Sequence, residues 1–155
     1  MIARDTYWLG QAQLALGRHA EAEEAFTELS AYAGDIGSSG GFYTAHAWGC
    51  LHLARGEHAD ARRRLQDGLE IARALHDPLF ETRVLVDLLD AELHDDLPAA
   101  ISLGEHGAAV ARGIDYPYLL AGVLDKLALL HAAAGDEVAA DRATREAATV
   151  RARIR

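Results

Sequence analysis

The stretch Leu14–Phe26, LALGRHAEAEEAF, decides how the rest of the chain is read, because it returns as LARGEHADARRRL at Leu53–Leu65. Leu, Ala, Gly, His, Ala and Ala fall at the same places in both copies. A glycine that closes one helical pattern, followed by small residues that open another, spells a helix, a tight turn and a second helix folding back. Gly17 and Gly56 are 39 residues apart; a further 39 reaches Asp95 in LHDDLPAA, and 40 more reaches Gly135 in HAAAGDEVAA. A fixed period of this size marks a repeat array.

Each unit reads as helix A, turn, helix B and a short connection, with units at about 4–40, 41–77, 78–115 and 116–155 of a single repeat domain. In the first helix B, Ala22, Ala25, Phe26 and Leu29 recur on one face of a 3.6-residue helix. Ala61, Leu65, Leu69, Ala72 and Leu75 repeat that face in the second. Ala22, Ala61, Ala100 and Ala140 all lie five residues past the turn position, even in the third unit, which has lost its glycine. Pro78, Pro98 and Pro117 each sit near a predicted helix start, where a missing N–H does no harm, and Asp77, Asp95 or Asp96 can cap. One helix pair cannot bury its apolar face alone, so stacking the pairs makes the core. The expected fold is all-α, a right-handed α-solenoid of about four antiparallel helix pairs.

The totals agree. Half of the 155 residues are hydrophobic and only 6% aromatic, a balance that suits closely packed, alanine-rich helices. The net charge of −9 argues against a general nucleic-acid surface. Residues 142–155 nevertheless carry five Arg and one Glu, so the remainder sums to −13. One cysteine, Cys50, excludes an internal disulfide framework and fits a reducing, cytoplasmic setting. No apolar run is long enough to span a bilayer, and no signal-peptide pattern opens the chain. The helical pattern starts almost at Met1, as in a piece of a longer protein.

The stretch YWLGQAQLALGRHAEAEEAFTEL, Tyr7–Leu29, resembles a tetratricopeptide repeat (TPR). That family places Leu-Gly in helix A, Gly at the turn, Ala early in helix B and an aromatic four residues later. Here these are Leu9-Gly10, Gly17, Ala22 and Phe26, and in the second unit Trp48-Gly49, Gly56, Ala61 and Leu65. Asp87-Leu88 and Leu127-Ala128 replace Leu-Gly in units three and four, while Gly104 and Thr144 replace the aromatic. The 39–40-residue period and second helices such as LEIARALHDP are similar to the TPR-like regions of bacterial LuxR-type ATPase transcriptional activators.

Residues capable of chemistry are weighed against packing. Gly34–Phe42, GDIGSSGGF, lacks the preceding strand and the Gly-Lys-Ser/Thr ending of a phosphate-binding loop and reads as a connection. His19 and His58 share one repeat position and His52 and His131 another, as packing residues would. His46 and Cys50, one helical turn apart, are the one ligand-like pair; zinc needs three or four ligands, and no CxxC or HExxH supplies them. The run Arg62–Arg64 reads as a solvated face of helix B. No catalytic residue, metal or cofactor is expected, and the chain reads as no enzyme.

The resemblance implies a concave groove lined by helices A. The family's inward positions fall on Arg4, Tyr7, Gln11 and Leu14 in unit one, and on Tyr43, His46, Cys50 and Leu53 in unit two. They continue at Thr82, Leu85, Leu89 and Glu92 in unit three, and at Asp125 and Leu129 in unit four. Such a groove suits a short amphipathic helix or an apolar peptide with a basic end. The expected function is non-enzymatic protein or peptide binding, as a scaffold or regulatory module. The alternative is a ligand-sensing segment of a larger bacterial transcriptional regulator. Expected partners are a protein or peptide, a second copy, or neighbouring domains of a longer chain, with no nucleic acid and no membrane.

Overall fold

A computed structural model describes residues 2–32, 39–93 and 95–154, and among them the chain is all helix. In chain order the helices are α1 (Ile2–Ala15), α2 (His19–Tyr32), α3 (Ser39–Ala54), α4 (His58–Ala74), α5 (Pro78–Glu92), α6 (Leu97–Arg112), α7 (Pro117–Ala133) and α8 (Glu137–Arg151). They form the four helix pairs read from the repeat, α1 to α8 alternating as helix A and helix B. Of the glycine-rich stretch, residues 34–38 lie outside the described residues, and Gly40 and Gly41 belong to α3. The chain divides into two compact units, Met1–Asp77 and Pro78–Arg155, each holding two helix pairs.

The turns explain the repeated glycines. Gly17, Gly56 and Gly135 have φ of 72°, 73° and 79°, the left-handed region where any other residue crowds its own backbone. In each turn the glycine N–H donates to a carbonyl three residues back, and the next N–H reaches five residues back. Arg18 N thus donates to Gln13 O, Glu57 N to His52 O and Asp136 N to His131 O, all at 2.9 Å. This pair of bonds satisfies carbonyls that the ending helix leaves open and reverses the chain within two residues. The same bonds close α4, where Asp77 N donates to Ala72 O and His76 N to Arg73 O. There the left-handed position is held by His76, at φ 53°. The third unit's turn residue, Asp95, precedes Asp96, whose carboxylate caps α6 by accepting from Ala99 N; Asp136 caps α8 on Ala139 N in the same way.

Packing within a pair is set by what the turn brings together. A Cβ added at Gly10 of α1 would lie 2.1 Å from the ring of Phe26 in α2, and one at Gly49 of α3 would lie 2.6 Å from Leu65 in α4. Phe26 and Leu65 are fully buried, so each anchors its pair with about 1.5–3 kcal/mol of apolar burial. Around Phe26 the core of the first unit gathers Tyr7, Ala22, Leu29, Ala47 and Leu51. The third pair inverts the sizes. Helix A carries Leu88 where the glycine stood, and helix B carries Gly104 where the aromatic stood. Leu127 of α7 fills the place opened by Gly104, whose added Cβ would meet its side chain at 2.6 Å. The core of the second unit is accordingly aliphatic, built on Leu89, Leu124, Leu127 and Leu130 with Ala100, Ala108 and Ala147.

This packing sets the direction of three substitutions. Gly10→Ala gains helix propensity but forces the buried Phe26 ring aside, so it destabilises by about 1–3 kcal/mol. Gly122→Ala in α7, where nothing lies within 4 Å of the added carbon, stabilises by about 0.5–1 kcal/mol. Denaturant melts of the two variants measured side by side must therefore move in opposite directions. His76→Gly relieves the left-handed φ and raises stability by about 0.5–1 kcal/mol; an unchanged or lowered midpoint would show the position to be unstrained.

Candidate functional site

The helix-A residues that the resemblance placed along a groove have diverse surroundings. In the first unit, Tyr7 of α1 and His46 of α3 occupy the same repeat position and bond to each other, hydroxyl to Nδ1, at 2.7 Å. Both are buried, at 1% and 3% exposed. Tyr43 packs on Tyr7 with ring centres 4.8 Å apart, and Phe42 lies parallel to the imidazole at 5.6 Å. The other ring nitrogen of His46, Nε2, sits 3.5 Å from Cys50 Sγ. The tautomer in which Tyr7 donates to Nδ1 carries its proton on Nε2, facing the sulfur. Tyr7, His46 and Cys50 thus form one polar thread running from α1 into α3.

Tyr7 and His46 therefore depart from an open groove lining: within the first unit they cover each other, because these repeat-equivalent positions of α1 and α3 face each other. Leu85 and Leu89 depart from it too. Both are fully buried in the second unit, Leu85 against Gly107 and Leu89 near Gly104, since these small helix-B residues draw helix A in and enclose its leucines. Thr82 is also buried, its hydroxyl donating to Pro78 O at 2.8 Å. Arg4 is exposed, while Gln11, Leu14, Tyr43, Cys50 and Leu53 are half-buried in the first unit. In the second unit Glu92 and Asp125 are half-buried and Leu129 is exposed. Asp125 is held by Arg151 of α8.

One of the two repeated histidine pairs, His52 and His131, is fastened by acids. His52 bonds Glu57 across its own turn, whereas its repeat equivalent His131 reaches Glu105 of α6 at 3.0 Å. His106 pairs with Glu81 at 2.9 Å. His52, Glu57 and Asp60 bring their ligand atoms within 4.8 Å of one another. Sequence reading did not find this group, because its members straddle a turn at no motif spacing; Asp60 is engaged by Arg63 at 2.7 Å. Arg63 is thereby an ordinary surface ion-pair partner within the Arg62–Arg64 run. His94 lies outside the described residues. Elsewhere, Arg112 grips Glu146 through two bonds of 2.8 Å, which hold the carboxylate below its usual range against the opposing effect of its partial burial. Glu23 is held low in the same way by Arg55.

Replacing Tyr7 by Phe keeps the ring packing but takes its hydroxyl from a buried imidazole nitrogen. The expected cost is about 1–3 kcal/mol, read in denaturant melts; a loss near zero would mean that the hydroxyl contributes nothing to the α1–α3 contact.

Among the described residues no helix is long and apolar enough to cross a membrane. Neither a family model nor a curated protein sequence matches this chain. Solved structures do. BtubC (BKLC) from P. vanneervenii matches with a TM-score of 0.81 at 19% identity, over 97% of this chain and 63% of its own. The nearly identical TPR-like repeats of kinesin-light-chain type from Podosopora anserina match with a TM-score of 0.74 at 16% identity, over 97% of this chain and 74% of their own. The chain thus spans less than two thirds of BtubC. Its fold is that of the TPR-like α-solenoids.

Proposed function

We propose that the chain is a non-enzymatic protein- or peptide-binding module that uses its helix-A faces. The observation that carries this reading is the division of labour within the repeat. Turn glycines recur in three of the four units and the helix-B alanine five residues past the turn in all four, because the fold needs them. The helix-A stripe changes at every unit: Arg4 and Gln11, then Tyr43, Cys50 and Leu53, then Glu92, then Asp125 and Leu129. A stripe built only to pack has no reason to alternate between aromatic, aliphatic and acidic side chains. Likeness to TPR-like repeats supports an interaction scaffold, since repeated helix pairs build extended binding surfaces.

The chemistry of the accessible positions narrows the ligand. In the first unit Tyr43 and Leu53 offer aromatic and aliphatic surface; in the second Glu92 adds negative charge, while the carboxylate of Asp125 is already engaged by Arg151. A short helix with an apolar face suits the first of these, and a basic segment suits the second. The buried residues Tyr7, His46, Leu85 and Leu89 act in this reading by holding the faces in place.

Selection from a displayed library of helical peptides tests it. The peptides recovered should be rich in apolar and basic residues. Tyr43→Ala and Glu92→Lys should each weaken the selected peptide about ten-fold, roughly 1.4 kcal/mol, with melting temperatures that stay near wild type. Failure to select any peptide, or affinities indifferent to both substitutions, overturns the proposal.

A further inference from the structure

The repeat register shows which side of each helix A packs on the pair before it. Trp48 stands eight residues before its turn glycine, Leu51 five and Arg55 one. All three face the preceding pair: Trp48 packs on Phe26 and donates to Ser30 Oγ at 2.9 Å, Leu51 enters the core around Phe26, and Arg55 pairs with Glu23. The second unit repeats the rule, with Leu127 set against Gly104 and Leu130 in its core. In α1 these positions are Leu9, Ala12 and Leu16, and here the side chains meet water: Leu9 is 54% exposed and Leu16 66%. Helix α1 thus displays a stacking face of the kind that α3 and α7 bury.

The complementary face lies on α7 and α8. In the first unit α3 covers α1 over Tyr7, ten residues before the turn glycine, and lies against α2 beyond it. The corresponding stripe of α7 is Tyr118, Gly122, Asp125 and Leu129, with Tyr118 66% and Leu129 65% exposed. Beside it Tyr118, Ala121, Gly122, Arg151 and Ile154 border a shallow depression of about 360 Å³.

We infer that these two faces belong together, the α1 face of one copy of the chain stacking on the α7–α8 face of a second copy as a further helix A would. The helix directions follow from the same register. Arg55, near the end of α3, meets Glu23 near the start of α2, so helix A runs antiparallel to the helix B it packs on. Laid on α8 in the same sense, α1 brings its start, where Arg4 stands beside Asp5, to the end of α8 at Arg153 and at Arg151, which also holds Asp125. Its far end brings Leu16, the equivalent of Arg55, toward Asp141, which stands six residues past its turn glycine as Glu23 does, with Arg18 two residues further on. The neighbouring helices B are opposed in charge: α2 carries four Glu and no Lys or Arg, whereas residues 142–155 carry five Arg and one Glu. Because the two faces differ, the contact is heterologous and adds copies head to tail rather than closing a two-fold dimer.

Sedimentation velocity of the 155-residue chain over a roughly hundred-fold concentration range tests this. The average mass should rise above the 16.7 kDa of one chain and pass beyond that of a dimer, and the rise should shrink at high salt. Leu9→Glu alone and Leu129→Glu alone should each remain monomeric, since every copy then lacks one face. An equimolar mixture of the two retains one good face on each and should assemble to a dimer and stop there. Leu16→Glu replaces Leu9→Glu if circular dichroism shows that variant misfolded. A wild-type chain that stays monomeric throughout, single variants that still assemble, or a mixture that stays monomeric overturns the inference; the first result is also what a flanking segment of a longer polypeptide, covering either face, would give.

Discussion

Everything in this fold depends on how closely helix A approaches helix B across a two-residue turn. A left-handed glycine reverses the chain so abruptly that the two helices meet within a turn of their ends, and neither can keep a bulky side chain on both sides of the contact. The first two pairs resolve this with glycine in helix A against Phe26 or Leu65 in helix B. Interiors packed at crystal-like density do not absorb an extra methyl group without moving something, so the size alternation is a constraint on the sequence. The turn chemistry and the packing chemistry are one requirement expressed at two places.

The third pair shows that the constraint acts on summed volume rather than on residue identity. With Leu88 in helix A and Gly104 in helix B, large and small exchange sides, and Leu127 of the following helix A occupies the room that results. That exchange makes the second unit aliphatic where the first is aromatic. It also bears on the polar groups. The first unit carries a buried Tyr7–His46 bond between equivalent positions of successive helices A, whereas the second fastens α7 to its neighbours with half-exposed pairs, Lys126 to Asp90 and His131 to Glu105. Half-exposed pairs of this kind contribute little each, so the leucine core carries more of that unit's stability.

The helix pairs, their turns and the alanine face of helix B were legible in the sequence because each follows from a local rule: a period, a left-handed position, a cap. Which helix-A residues stay accessible was not legible. The period that assigns Tyr7, His46, Leu85 and Leu89 to the inward side is blind to what the neighbouring helix places opposite them. Tyr7 and His46 disappear because they face each other across two helices, a consequence of stacking identical positions that no single unit contains. Leu85 and Leu89 disappear because Gly107 and Gly104, on the partner helix, are small. Repetition drew attention to the histidines as a set, yet equivalent ones are held differently: His52 turns to its own loop and His131 to another helix.

Repetition and variation therefore carry different information in a chain of this kind. A residue that recurs at every unit reports a demand of the backbone, since each pair must reverse the chain and bring helix B close to helix A. A residue that changes while its surroundings recur is released from that demand. On helix A both kinds share one surface, and exposure separates them: Tyr7 is repeat-variable but buried by its neighbour, whereas Leu129, Leu9 and Leu16 are variable, apolar and in water. Apolar side chains held in water on rigid helices lose little conformational freedom when covered, so the free energy of covering them is mostly the hydrophobic gain. In an array built by stacking, the surfaces best prepared for a new contact are those that already follow the stacking register.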